Sequence, residues 1–297
     1  MTALQLFADE VGTDDRIVAV GGRTQFDVGG ALESDLREVR APTGIVEHVA
    51  AEMTVRVRAG TTVAELDDVL AAHGQCVALP AWEGATVGGV LAVGHSGVRR
   101  LGWGPVRDAL LEVRYVSAEG RLVKGGGPTV KNVSGYDMPR LFVGSLGTLG
   151  VIAEVVLRTR PVPACERWFR GEGVDPFELV RRLYRPVAVL WDGTSTWVLL
   201  DGHPTDVADQ ARVAGLPEID ADARPPLPEH RWSLPPAALS SLPADGHGRF
   251  VAEVGVGVVH RTVPQPPRVP DPSIAALHRR LKEAFDPTGR LAPGRLL

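Results

Sequence analysis

Two cysteines in 297 residues, Cys76 and Cys165, are too few for a disulfide framework or a four-thiolate metal site. A chain so poor in cysteine fits a reducing compartment, and the cytoplasm is the expected location. No uncharged apolar run reaches membrane-spanning length, so direct membrane insertion is not expected. The first residues, MTALQLFADEVGTDDR, lack the basic region and long apolar core of a signal peptide. There is no basic excess either. The net charge is -4 and the pI about 6.1, which argues against a nucleic-acid footprint. His203, His230, His247 and His260 stand apart, so no His/His/Glu metal set is visible. No G-x-G-x-x-G follows a strand, and neither a P-loop nor an H-E-x-x-H occurs. No repeat period is visible.

What the chain does have is glycine in ordered places. Gly144-Ser145-Leu146-Gly147-Thr148-Leu149-Gly150 sets a glycine at every third position, ahead of the β-branched run Val151 to Leu157. Glycine permits positive φ and close approach to the backbone, so this stretch reads as a wall against a flat or anionic ligand, or as a glycine-rich turn. Upstream lies the polar segment Lys131-Asn132-Val133-Ser134-Gly135-Tyr136-Asp137, expected as a loop feeding a short helix. Near the N-terminus, a strand over Arg16 to Val20 runs into Gly21-Gly22-Arg23-Thr24-Gln25. Such a turn can converge backbone N–H groups on an anion, and it can equally be a plain tight turn.

Taken together, KNVSGYD, GSLGTLGVI and the C-terminal AFDPTGRLAPGR resemble the flavin-binding domain of the vanillyl-alcohol oxidase and p-cresol methylhydroxylase superfamily. Within it they are most similar to the smaller FAD-binding subunits of bacterial glycolate oxidases. The resemblance runs from about Val18 to Pro163 and returns in the C-terminal segment. It implies an α+β fold: a two-subdomain PCMH-type FAD-binding domain over residues 1–163, then a reduced α+β cap domain over 164–297 with a returning C-terminal segment. It also implies noncovalent FAD. The implied pyrophosphate loop is Gly21, Gly22, Arg23, Thr24 and Gln25, with Arg23 where the superfamily usually has a third glycine. The implied second cofactor loop holds Thr86, Gly88 and Gly89 and continues through Ser96 and Gly97. Asp137, Gly147, Gly150 and Ile152 would lie along the FAD, with Ile152 near the adenine. Ala292 replaces the asparagine common at that position.

The remaining chain reads in order. Thr2 to Glu10 suggests a short helix, and Val46 to Val57 a pair of strands. A helix from Thr61 or Thr62 to Gly74 would bury Val63, Leu66, Val69 and Leu70 and turn Asp67 and Asp68 outward. Cys76 is expected as a buried thiol on the following turn. Ala109 to Val116 and Arg121 to Lys124 read as a hairpin. After Pro163, strands are expected at Val187–Trp191, Trp197–Leu200 and Arg249–His260, and helices at Asp206–Ala214 and Ser273–Phe285. The last would present Ile274, Leu277, Leu281 and Phe285 on one face.

Oxidation of a 2-hydroxy acid by a flavin needs a base for the hydroxyl and a cation for the carboxylate. The candidates are His95, His260 and Arg261. No metal is expected. The reading is a FAD-binding subunit of a glycolate oxidase-like 2-hydroxy-acid dehydrogenase, a hetero-oligomer with a larger FAD-binding subunit and an iron–sulfur subunit. Its substrate would be a small 2-hydroxy acid, and any membrane association would run through partner subunits. Two alternatives stand beside it: a self-sufficient FAD-dependent oxidase or dehydrogenase, and a scaffold subunit that has lost FAD.

Overall fold

The computed structural model describes residues 1–127, 137–267, 269 and 271–295. Residues 131–136 of the polar segment therefore lie outside the described residues. The chain divides into two compact units. The first comprises Met1–Gly97, Pro105–Val162 and Pro270–Leu297, and the second Val98–Gly104 and Pro163–Val269.

In the first unit, α1 (Ala3–Val11) begins where the Thr2 hydroxyl accepts from the Gln5 N–H, and it buries Leu4, Phe7, Ala8 and Val11. Strands β1 (Ile17–Ala19) and β2 (Arg37–Val39) pair in parallel. Next come the antiparallel strands β3 (Ile45–Val49) and β4 (Thr54–Arg58). Helix α2 (Val63–Ala71) starts with a capping box: Thr62 accepts from the Glu65 N–H, and Glu65 accepts from the Thr62 N–H. It buries Val63, Leu66 and Leu70. Val69, expected inside, is 38% exposed because the 63/66/70 set already fills the inner stripe. The short β5 (Gln75–Val77) contains Cys76, which sits in a strand and is only half-buried. Helix α3 (Val87–Val93) follows, and α4 (Arg100–Trp103) then belongs to the second unit. Back in the first unit are the hairpin β6 (Leu110–Val116) and β7 (Leu122–Gly126), then α5 (Met138–Phe142) and β8 (Val151–Pro161).

Strand β8 is the spine. The strand order is β3-β4-β8-β6-β7, with β5 paired to the far end of β8. Val55, Val57, Val113, Val155 and Leu157 share one face and form the core with α2 and α3. The opposite face carries Glu112 and Glu154, both buried and bridged by Arg56 and Arg114. Two carboxylates tolerate that depth because each has guanidinium partners.

Asp67, expected to face outward, is half-buried on α2. Burial, with Asp68 alongside, raises its carboxyl to about 6. A raised folded-state value means the folded chain holds the proton longer than the unfolded chain. The associated stability is complete below the unfolded value near 4 and is lost as pH rises through about 6. Asp67→Asn is therefore expected to stabilise the protein by about 1 kcal/mol at pH 8, after allowance for partial solvent screening, and to do nothing near pH 3. Urea melts at the two pH values check this; equal effects at both would refute it.

The second unit strings together β9 (Cys165–Glu172), α6 (Pro176–Arg182), β10 (Ala188–Trp191), β11 (Ser195–Gly202), α7 (Pro204–Ala214), β12 (Glu218–Ile219), β13 (His230–Ser233), β14 (Phe250–Glu253) and β15 (Val258–Arg261). Its strands form an antiparallel sheet in the order β12-β9-β11-β10-β14-β15-β13. The single strand expected over Arg249–His260 is instead the hairpin β14–β15. Gly255 and Gly257, at φ +84° and +83°, turn the chain there. One sheet face, with Phe169, Trp191, Val198 and Phe250, packs on α6 and α7. The other, with Trp168, Leu190, Trp197 and Val251, packs on Val98 and Trp103.

Helix α8 (Pro272–Phe285) returns the chain to the first unit, capped by Asp271. Leu281 and Phe285 pack on the core, whereas Ile274 and Leu277 at its other end are exposed. The tail then ties itself to the N-terminal region. Leu291 bridges Ile17 in parallel, and the Ala292 N–H donates to the Ile17 carbonyl at 2.8 Å. The buried Arg290 guanidinium donates to the carbonyls of Val11, Asp15 and Ala118.

Candidate functional site

Two adjoining clefts open in the first unit. One, of about 610 Å³, is walled by Gly21, Gly22, Arg23, Thr24, Gln25, Phe26, Trp82, Thr86, Gly89, Leu146 and Arg295, among others. The other, of about 480 Å³, adds Gly88, Gly147 and Ile152. They share Ala19, Gly21, Thr86, Gly89, Ala92 and Leu146, so they form one continuous groove.

The local sequence explains the walls. β1 delivers the chain into Gly21-Gly22, where no room exists for a side chain. A Cβ on Gly21 would lie 2.2 Å from the Thr86 hydroxyl, and one on Gly22 would lie 1.7 Å from the Gly84 carbonyl oxygen. Gly88 is similar, with Ala59 at 2.7 Å. These three glycines press protein against protein. Gly147 differs: at φ +77° its Cβ would meet only Ala19, at 3.9 Å. Gly89 would touch only its own cap, Thr86, at 3.0 Å. Space left open at these two positions belongs to the groove.

The segment expected as a second cofactor loop is in part a helix start. Thr86 caps α3 by accepting from the Gly89 N–H at 3.2 Å, so Gly88 and Gly89 lie in the first turn of α3. In the first loop, no backbone carbonyl of the described residues takes up the N–H groups of Gly21, Gly22, Arg23 or Thr24. They remain free for an anion. Arg23 adopts φ +57° and pairs with Glu38 while its guanidinium covers the Phe26 ring at 4.6 Å. The departure from glycine is accommodated by turning that side chain onto Phe26 and Glu38. Arg295 arrives from the tail and donates to the carbonyls of Phe26, Val28 and Gly30, which fixes the loop from behind.

Other expected residues sit elsewhere. Ser96 is buried and accepts from the Val106 N–H at 3.1 Å. Gly97 packs beside Pro80. Asp137 caps α5 and pairs with Arg140 at 2.8 Å. Gly150 makes room for the Tyr115 ring, 2.6 Å from where its Cβ would be. Ser96, Gly97, Asp137 and Gly150 are not among the described groove-lining residues. His95 bonds through Nδ1 to the side-chain oxygen of the groove residue Gln25 at 3.1 Å. His260 and Arg261 belong to the second unit. Arg261 is fully buried, paired with Asp245 and stacked on Trp232 and Phe250, which leaves it no open side for a substrate. His260 bonds to Glu253 at 2.8 Å. Among the described residues, no group of three or more His, Cys, Asp or Glu could hold a metal ion. Sequence reasoning missed Phe26, Trp82, Leu146 and Arg295, whose lining role has no local signature. The one available hint was the glycine-rich sequence flanking Leu146, which the structure then places at φ +54°.

Amides without a carbonyl partner, two open glycines and a groove mark the candidate site, and comparison with known proteins gives the chain's class. Residues 7–126 match the family model described as FAD binding domain. The glycolate oxidase subunit GlcE of Escherichia coli (strain K12) is 30% identical over 242 residues, covering 77% of this chain and 69% of that protein. A D-lactate dehydrogenase of Archaeoglobus fulgidus is 37% identical over 164 residues, 54% of this chain but only 36% of that protein. An alkyldihydroxyacetonephosphate synthase structure superposes with a TM-score of 0.70 over 99% of this chain and 74% of its own, at 16% identity, a likeness of fold. The chain belongs to the PCMH-type FAD-binding family of oxidoreductases. Its cofactor is FAD, and the groove residues fit that group: free amides for phosphates and apolar walls for a ring.

Proposed function

We propose that this chain is the FAD-carrying subunit of a glycolate oxidase-like 2-hydroxy-acid dehydrogenase. It works beside a larger FAD-binding subunit and an iron–sulfur subunit. The observation that carries the reading is the groove itself, with the Gly21–Thr24 amides free and Gly89 and Gly147 open to it, in a chain that spans 69% of GlcE. Bound FAD supplies two-electron oxidation of a carbon–hydroxyl group and passage of those electrons onward. The chain's own residues bind and orient. The amides of Gly21 through Thr24 would take the pyrophosphate, with Thr86 and Gly89 on the facing side. Gly147 and Ile152 would lie along the adenosine half, and Trp82, Phe26 and Leu146 would keep water from the groove. None of the described lining residues is His, Cys or Tyr, which supports noncovalent attachment. Among the described residues no helix is long and apolar enough to cross a membrane, so we assign any membrane contact to partner subunits.

The test is the absorbance spectrum of the purified chain, then anaerobic addition of glycolate or D-lactate. A flavin spectrum whose chromophore stays in the supernatant after acid precipitation is expected. Bleaching that requires the partner subunits supports the subunit reading. Bleaching of the isolated chain would replace it with a self-sufficient enzyme, and a colourless chain that refuses added FAD would overturn both.

A further inference from the structure

Among the described residues that line the groove, Arg23 and Arg295 carry the charge, and both are cations. No carboxylate joins them in that lining. Arg295 is already engaged, because its Nη1 and Nη2 donate to the carbonyls of Phe26, Val28 and Gly30. Arg23 is engaged only in part. Its one hydrogen bond among the described residues runs from Nη2 to Glu38, so Nε and Nη1 keep their donors. The side chain is half-exposed, and its guanidinium carbon stands 4.6 Å from the centre of the Phe26 ring, itself a groove wall.

The backbone at this position points the same way. At φ +57°, Arg23 sits in the left-handed region, where a Cβ is unfavourable and glycine is not. A residue kept there against local preference directs attention to what its side chain does. The surroundings leave that side chain a surplus of positive charge. Arg40 donates to the Gly21 carbonyl at 3.2 Å and stands 4.0 Å from Glu38. Arg23, Arg40 and Arg295 thus meet two carboxylates here, Glu38 and the loop's own exposed Asp27. A guanidinium with donors to spare, beside backbone N–H groups that no carbonyl takes up, suits a phosphate oxygen.

We propose that Arg23 binds the cofactor through its side chain. Its spare N–H donors take an oxygen of the FAD pyrophosphate beside the Gly21–Thr24 amides, while Glu38 keeps its place on Nη2. This rests on the placement of the pyrophosphate at that loop in the proposed function. It does not depend on whether the chain works alone or within a complex.

The experiment is titration of the flavin-stripped full chain with FAD, read by fluorescence quenching at low and at high NaCl. The variants are Arg23→Gly, Arg23→Met and the exposed control Arg212→Met. ADP, which has the diphosphate and no flavin, is the competitor. Both Arg23 variants are expected to weaken FAD and ADP about tenfold, in parallel, and to flatten the salt dependence, with the control at wild-type values. Arg23→Gly should melt close to wild type without cofactor, because relief of the left-handed φ offsets the greater freedom of glycine in the unfolded chain. Arg23→Met keeps the backbone strain and loses only the charge, so it separates the guanidinium from the loop conformation. FAD affinity and salt dependence that ignore Arg23, loss confined to Arg23→Gly, or loss for FAD without loss for ADP would each overturn the proposal. Tighter binding in Arg23→Gly would also overturn it and show that the side chain crowds the loop. A wild-type chain that takes up neither FAD nor ADP would overturn the placement of the groove itself, whereas one that binds FAD with no dependence on Arg23 would sink this inference alone.

Discussion

Gly22→Ala is expected to give a protein that no longer retains flavin and melts at markedly lower temperature. The added methyl would lie 1.7 Å from the Gly84 carbonyl oxygen and 2.6 Å from its carbon. Both are backbone atoms, so no side-chain rotation relieves the contact. One of the two loops must retreat, and both wall the groove or abut it. Forced overpacking of this kind costs about 3 kcal/mol or more. Gly147→Ala is the informative contrast. Its Cβ meets only Ala19, at 3.9 Å, so apo stability should fall by only about 1 kcal/mol, from the left-handed φ of +77°. Its methyl would occupy groove space, so FAD affinity should suffer more than stability does. Thermal melts with and without FAD, together with flavin retention on a desalting column, read both quantities. Equal flavin retention in wild type and Gly22→Ala would refute the assignment of this loop.

The second large effect is expected at Asp286. Its side chain is fully enclosed. Oδ1 accepts from the Arg290 N–H at 3.1 Å and from the Thr288 hydroxyl at 3.2 Å. Oδ2 accepts from the Leu291 N–H at 2.7 Å and from Lys282 at 2.6 Å. Lys282 also donates to the Thr148 and Leu291 carbonyls. Asp286→Ala would strand an ammonium group and two backbone donors, and the expected loss is about 3–5 kcal/mol in urea unfolding. Asp286→Asn, which keeps the shape and one acceptor, should lose less. The damage should also reach the groove, because Leu291 and Ala292 hold β1 in place and Arg295 holds the loop beyond it. A variant with near-wild-type stability would mean that the tail is not fastened through this carboxylate.

Much of this architecture was legible in the sequence, for local reasons. The capping box of α2 needs only Thr62 and Glu65 three residues apart, and the alternating valines of β4 and β8 declare their buried face. The structure departs from the sequence reading where tertiary context decides. The Val-Gly-Gly start of α3 reads as a loop, because two glycines outweigh the Thr86 cap in local propensity. Gly255 and Gly257 turn what reads as one long strand into a hairpin. Asp67 has an ordinary outward-facing spacing and is buried by neighbours that the helix pattern does not reveal. At the groove, glycine positions carried a signal, since Gly21, Gly22, Gly89 and Gly147 all line it, with the cap Thr86 beside them. Trp82 and Phe26 did not, because an apolar wall residue looks like any core residue. Arg295 is separated from Phe26 by 269 positions and could not be connected to it by spacing.

That separation bears on synthesis. The buried Arg290 reaches back to Val11 and Asp15, and Arg295 to the loop at Phe26, so β1 lacks its Leu291 neighbour until residues 290–295 have been made. The second unit, drawing on residues 98–104 and 163–269, has all its parts much sooner. The nascent chain should therefore carry a finished inserted unit while its cofactor loop is still loose. FAD capture is therefore expected only after residues 290–295 have emerged, and a chain cut short before Arg290 should fold in part and never turn yellow.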